Sequence, residues 1–236
     1  MGLIVVIPTY NEADNLEPLT GELISLPIPD LRIIIIDDNS PDGTGGIADR
    51  LVRQHPGKLE VNHRATKLGL GSAYKTGFQR ALDSGAEIIV QMDADFSHSP
   101  QVLPEMVRTL ESCDLVIGSR YVPGGSVDRR WPAWRKGLSA FGNFYARSIL
   151  KVPIRDMTGG YRVWRRKALQ AVPLSRIRSN GYAFAIETAY LAHRLGFKIL
   201  EIPIYFSDRS QGRSKMSLKI QLEAAYRVFL MRNEVR

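Results

Sequence analysis

The chain has 236 residues and a mass of 26.5 kDa; it is 44% hydrophobic and 24% charged, with a net charge of +8. That length buries a core without help from metal or disulfide, and the single cysteine, Cys113, excludes a disulfide framework and fits a reducing, cytosolic setting. The longest stretch without a charge, Met1 to Asn11, falls short of the roughly 20 apolar residues that span a bilayer and lacks the basic start of a signal peptide.

In chain order, short apolar runs alternate with amphipathic segments. Leu3–Ile7, Ile33–Ile36, Ile88–Met92 and Leu115–Ile117 are rich in Val and Ile and do not alternate with polar residues, as expected of strands buried on both faces. Helical spacing of apolar residues predicts helices over 12–25, 44–54, 70–82 and 100–111. This order predicts an α/β fold with an open, mostly parallel twisted sheet flanked by helices and right-handed crossovers. Beyond Tyr121 the pattern changes. Trp131–Pro153 reads as one helix, with Trp134, Leu138, Phe141, Tyr145 and Ile149 on a face and Arg135, Lys136, Arg147 and Lys151 flanking it. Leu200–Phe206 reads as a strand and 215–231 as a last helix. No repeat or linker divides the chain, so 1–236 reads as one domain with an elaborated second half.

Charge is distributed unevenly. Residues 1–125 carry a net −7, residues 126–180 a net +11, and the remainder a net +4. A basic block after an acidic half fits an anionic partner, whether nucleic acid, membrane surface or phosphorylated ligand.

In open α/β sheets, ligands bind beyond the carboxyl ends of the strands. Four successive strand ends carry polar side chains: Pro8 to Glu12, Asp37 to Thr44, Asp93 to His98, and Gly118 to Tyr121. Asp93 and Asp95 form the sharpest pair, because two carboxylates two residues apart at a strand exit both reach a hard divalent cation. Asp37 and Asp38 fit a turn as well as a nucleobase or ribose contact, with Asp38 preferred for the contact. The glycine-rich Lys67–Ala73 segment admits a phosphate or ribose, or equally a tight loop with close helix packing, and it lacks the P-loop pattern. Arg120, Arg135, Arg209 and Lys215 are the candidates for binding phosphate, guanidinium groups being suited to bidentate contacts. Glu187 sits among apolar residues on a predicted helix and needs a partner.

These motifs resemble one family. Ile-Pro-Thr-Tyr-Asn-Glu at 7–12, Ile-Asp-Asp-Asn-Ser-Pro-Asp-Gly-Thr at 36–44 and Met-Asp-Ala-Asp-Phe-Ser-His at 92–98 resemble family 2 glycosyltransferases of the GT-A fold. Lys67–Ala73, Gly118–Tyr121, 156–162, 181–187 and 202–215 are similar to the polyprenyl-phosphate (dolichyl-phosphate) mannose synthase branch, and the last two of these point to a polyprenyl-phosphate acceptor. The resemblance implies transfer of mannose from GDP-mannose to dolichyl or polyprenyl phosphate with inversion, using Mg²⁺ or Mn²⁺, with UDP-glucose or another nucleotide sugar as the alternative donor. It implies that Pro8, Tyr10, Glu12, Asp37, Asp38, Gly69, Asp93, Ala94 and Asp95 hold the nucleotide sugar. Asp93, Asp95 and Ser97 would hold the metal, although Ser97 stands where some relatives have Gln. Arg120, Arg135, Arg209 and Lys215 would hold the acceptor phosphate, and Asp95, Arg120 and Arg209 would be catalytic. Residues 1–120 would then be the donor half, and residues 121–236 the acceptor and membrane-facing half. The Gln-x-x-Arg-Trp signature of polysaccharide synthases is absent, and so are the C-terminal spans of some relatives. The expectation is a peripheral enzyme on the cytoplasmic face of a membrane, with room for an integral membrane partner subunit. Nucleic acid is not an expected partner, because the acidic half would repel it and no nucleic-acid-binding motif is present.

Overall fold

Strands β1 (Leu3–Thr9), β2 (Leu31–Asp37), β3 (Leu59–His63), β4 (Ile88–Gln91), β5 (Leu115–Ser119), β7 (Arg162–Arg165) and β8 (Ile199–Pro203) form a seven-stranded sheet. The computed structural model describes residues 2–208 and 225–232. Strand order is β3-β2-β1-β4-β7-β5-β8. β7 runs antiparallel to β4 and β5, and the other pairs are parallel. From β1 the chain builds outward through β2 to β3, then returns to lay β4 on the other side of β1. The crevice between the ends of β1 and β4 is therefore a topological switch point, where open α/β sheets bind their ligands.

Alternate residues of the strands feed two cores. Leu3, Val5 and Ile7 face helices α1 (Ala13–Ser25), α2 (Thr44–Gln54) and α4 (Leu103–Thr109), while Ile4 and Val6 face the opposite layer. That layer comprises α3 (Leu70–Asp83), α5 (Ala133–Leu150), α6 (Arg166–Ala171) and α7 (Gly181–Arg194). Burial on both faces explains why the strands read as unbroken apolar runs. A second, two-stranded parallel sheet pairs β6 (Ser126–Val127) with β9 (Tyr205–Phe206).

The elements differ from expectation where apolar pattern is a poor guide. β3 is a half-buried edge strand. β7 reads Arg-Val-Trp-Arg, with Arg162 wholly buried between β4 and β5 and Arg165 turned back to the chain, so its charges conceal an interior strand. The Arg165 guanidinium donates to the carbonyls of Leu110 (2.7 Å), Glu111 (3.1 Å) and Cys113 (2.7 Å), closing the turn that precedes β5. The predicted 100–111 helix is α4 between two 3₁₀ turns, with prolines at 100 and 104 holding its start. The 200–206 run divides at Ile204 into β8 and β9.

The predicted aromatic face of α5 is split. Asn143, Ala146 and Leu150 face the core, with Tyr145 and Ile149 packed beside it. Trp134, Phe141 and Phe144 are 69%, 63% and 56% exposed on the outer side. Of the predicted 215–231 helix, residues 215–224 lie outside the described residues; residues 225–232 are helical, with Val228 and Met231 buried and Tyr226 and Phe229 exposed. Tyr145 donates to the Ala225 carbonyl at 3.2 Å, which joins this helix to α5. Among the described residues no helix is long and apolar enough to cross a membrane.

Candidate active site

Met92, Asp93, Ala94 and Asp95 leave β4 directly into the crevice, and Phe96 at φ 58° turns the chain back. The Asp93 amide donates to His98 Nδ1 at 3.3 Å, and the Tyr74 hydroxyl donates to Asp93 Oδ1 at 2.6 Å. Asp95 Oδ1 accepts the Ser97 amide at 3.1 Å and the Ser97 hydroxyl at 2.6 Å. Ser97 is buried, and both its amide and its hydroxyl donate to Asp95. Burial holds the His98 imidazole below its usual range, so it stays neutral and offers Nδ1 as an acceptor. Its ring stacks on Tyr161 at 5.1 Å.

Two carboxylates at a strand exit are the donor set that Mg²⁺ or Mn²⁺ takes when substrate phosphates complete its coordination. Among the described residues no three His, Cys, Asp or Glu side chains gather as a cation cage. The donor chemistry fits a shared cation of that kind, which Asp93 and Asp95 would hold.

The ends of β1 and β2 build the other wall. Asp37 Oδ1 accepts the hydroxyls of Thr9 (3.1 Å) and Ser40 (2.6 Å), and its Oδ2 accepts the Ser40 amide (3.2 Å). Asp37 thus ties the two strand ends together. Asp38 is ion-paired with the buried Arg64 and accepts the Gly69 amide at 3.1 Å. Arg64 also donates to Ser72 Oγ (2.7 Å) and the Gly69 carbonyl (3.2 Å). The glycine-rich segment is therefore fastened to Asp38, with Gly69 at φ +92°, a conformation that favours glycine. Tyr10 lies beneath the Lys67 ammonium, 3.6 Å from the ring centre. The Glu12 amide donates to Thr44 Oγ1 at 3.0 Å, and its carboxylate accepts Asn15 Nδ2 at 2.8 Å. Pro8 is half-buried, and Ala94 is buried.

Arg120 follows β5 and is held by Asp156. Its Nε and Nη2 donate to the two carboxylate oxygens at 2.7 and 2.6 Å, its amide donates to Oδ2 at 3.0 Å, and Nη2 reaches Thr158 Oγ1 at 2.7 Å. Burial alone would push the Asp156 carboxyl up, but the Arg120 charge and hydrogen bonds outweigh it and hold it below the usual range. Burial likewise opposes the Arg120 charge, and Asp156 more than restores it. The Phe206 ring lies 5.1 Å from the Arg120 guanidinium and 5.5 Å from the His98 ring, so β9 links the acidic turn to the basic half. Arg135 donates to Asp208 Oδ1 at 3.1 Å and lies 3.7 Å over the Trp131 ring. Arg209 and Lys215 lie outside the described residues. Glu187 has its partner in Arg227, at 3.8 Å, and also accepts the Ser179 amide.

Sequence reasoning missed Tyr74, Arg64 and Asp156 as members of this site. Only Asp156 left a signal, as one of two acids inside the +11 block. Tyr74 reads as a core aromatic, and Arg64 as a surface charge after an edge strand.

A switch-point crevice with a paired acidic turn beside it is where an open α/β sheet binds its ligands. Residues 4–172 match the family "Glycosyl transferase family 2", and the chain belongs to that family. It is 45% identical over 226 residues to a polyprenol monophosphomannose synthase of Mycolicibacterium smegmatis, covering 95% of this chain and 84% of that protein. It is 43% identical over 228 residues to an undecaprenyl-phosphate mannosyltransferase of Micrococcus luteus, covering 97% and 93%. Among solved structures, glucosyl-3-phosphoglycerate synthase from Mycobacterium tuberculosis, in complex with Mn²⁺ and UDP, matches with a TM-score of 0.67 at 19% identity, over 99% of this chain and 79% of that one. A mannosyltransferase from Pyrobaculum calidifontis in complex with GDP-mannose and Mn²⁺ matches with a TM-score of 0.62 at 18% identity, over 99% and 73%. These two structures share the fold.

Proposed function

We propose that the enzyme transfers mannose from GDP-mannose to a polyprenyl monophosphate, with inversion at the sugar C1. The observation that carries this reading is the Asp93–Asp95 pair at the β1/β4 crevice, in a chain 45% identical along almost its whole length to a polyprenol monophosphomannose synthase. Asp93 and Asp95 would hold Mg²⁺ or Mn²⁺ for the donor diphosphate, a reading supported by the Mn²⁺ that accompanies the nucleotide in both structural neighbours. Bound there, the cation neutralises the charge that develops on the departing nucleoside diphosphate. Pro8, Tyr10, Glu12, Asp38 and Gly69 line the nucleoside end, and Asp37 braces them from beneath.

An oxygen of the lipid phosphate attacks C1 as the C1–O bond to the diphosphate breaks, and GDP leaves with the electron pair. A phosphate monoester dianion carries no proton on the attacking oxygen, so no general base is required. What remains for the protein is positioning and electrostatic stabilisation. Asp156 occupies one edge of the Arg120 guanidinium, and Arg120, with Arg135, Arg209 and Lys215, binds the acceptor phosphate. Trp134, Phe141 and Phe144, bordered by Lys136, Arg147 and Lys151, lie in the membrane interface and bring the crevice to its lipid. The enzyme works as a peripheral protein of the cytoplasmic membrane face.

The test is transfer of radiolabelled mannose from GDP-mannose to a short polyprenyl phosphate, with Mn²⁺ and with chelator. Labelled lipid that vanishes with chelator supports the reading. Transfer from UDP-glucose in its place keeps the chemistry and replaces the donor. No transfer from any nucleotide sugar removes the proposal.

A further inference from the structure

We propose that Tyr74 is a positioning residue that fixes Asp93 for the divalent cation; this rests on the metal-dependent reading above. Asp93 is the first carboxylate after β4, and two side chains and one glycine define its pose. The Tyr74 hydroxyl donates to Oδ1 at 2.6 Å. His98 Nδ1 accepts the backbone amide. On the far side Gly160 approaches so closely that a Cβ there would lie 3.2 Å from Asp93 Oδ2 and 3.1 Å from His98 Cε1.

The phenol itself is immobile. Tyr74 is 1% exposed, and its ring stacks on Phe78 at 5.6 Å and lies parallel to Phe184 at 6.1 Å. A buried tyrosine hydroxyl needs a polar partner, and here that partner is a carboxylate at the crevice, not a backbone carbonyl of the core. One lone pair of Oδ1 is thereby taken, the carboxylate rotor is locked, and the remaining lone pairs are left to a cation.

Tyr74 also sits in the first turns of α3, whose start is fastened to Asp38 and Arg64 through Gly69 and Ser72. One rigid helix thus spans the nucleoside end and the metal end of the donor site. Hydrogen bonds that orient a metal-binding side chain are typically worth about 10–100-fold in metal affinity.

The test is Mn²⁺ affinity, read from the free-Mn²⁺ EPR signal in the presence of GDP. Tyr74→Phe removes the hydroxyl and keeps the ring stack. Its Mn²⁺ affinity is expected to fall about 10–100-fold, while GDP binding in chelator stays within about twofold of wild type. The Mn²⁺ concentration for half-maximal transfer should rise by the same factor, with kcat recovered at saturating Mn²⁺. A purely structural role would leave that split unmoved. Gly160→Ala crowds Asp93 Oδ2 from the opposite side with the phenol intact and should weaken Mn²⁺ in the same way; if Tyr74→Phe does not fold, a Gly160→Ala protein that binds Mn²⁺ like wild type shows that the pose of Asp93 does not set metal affinity and overturns the positioning role. A folded Tyr74→Phe that binds Mn²⁺ within about twofold of wild type overturns the role of Tyr74. Wild-type protein that binds GDP but no Mn²⁺ overturns the metal reading, and this inference with it.

Discussion

Replacing Asp156 with asparagine isolates the buried pair that holds Arg120. Asp156 is fully buried and the Arg120 side chain is 6% exposed, so solvent screens their attraction very little. The carboxylate accepts three Arg120 donors, from the backbone amide, Nε and Nη2. The substituted amide would keep one oxygen for Nε and the backbone amide, but its NH₂ would face the Nη2 donor, and the guanidinium would be left as a buried, uncompensated charge. Breaking such a pair from one side costs about 3–5 kcal/mol. Because asparagine preserves the volume and one acceptor, the expected loss is about 3 kcal/mol. For a chain of this size that lowers Tm by about 6–12 °C, measurable by circular dichroism, with urea titrations giving the free energy.

The pH dependence has a definite sign. The folded Asp156 carboxyl lies below its unfolded value of 3.8, so its stabilisation is present above that value and is lost as pH falls through the folded one. The gap between wild type and Asp156→Asn should be constant from about pH 5 to 8 and close below about pH 4. A loss under about 1 kcal/mol at pH 7, the scale of an exposed ion pair, would refute this account, as would a gap that widens in acid.

Asp95→Asn should reduce mannosyl transfer at least about 100-fold with the fold retained, since a ligand outweighs the hydrogen bonds that orient it; radiolabelled transfer and a melting curve check both halves. Trp134→Glu and Phe141→Glu should each weaken partitioning onto anionic vesicles about 30-fold, from about 2 kcal/mol of apolar burial lost per side chain. Both residues are exposed, so Tm should not change, and equal partitioning in co-sedimentation would contradict the interfacial role. Arg165→Ala should cost about 1.5–3 kcal/mol through the three carbonyls it leaves, with transfer kinetics at low temperature unaltered.

The strands and most helices were legible because their residues are buried on known periods: Leu3, Val5 and Ile7 serve one core while Ile4 and Val6 serve the other. The acidic turn was legible too, since Asp93 and Asp95 follow an apolar run at a strand exit. β7 was not, because pattern reading assigns arginine to solvent, whereas Arg162 is fully buried and donates to the carbonyls of Met157, Gly159 and Ala185.

Local order thus settled the α/β class, the placement of polar residues at four strand ends, and the division into acidic and basic halves, all of which depend on neighbours along the chain. Partnership across the chain belonged to the tertiary structure alone. Arg120 pairs with Asp156, 36 positions away, Asp38 with Arg64, 26 away, and Tyr74 with Asp93, 19 away. A buried charge or hydroxyl must find a complement, but which one it finds is decided by the packing of β5, α3 and the loops around the switch point, and no spacing in the sequence encodes it.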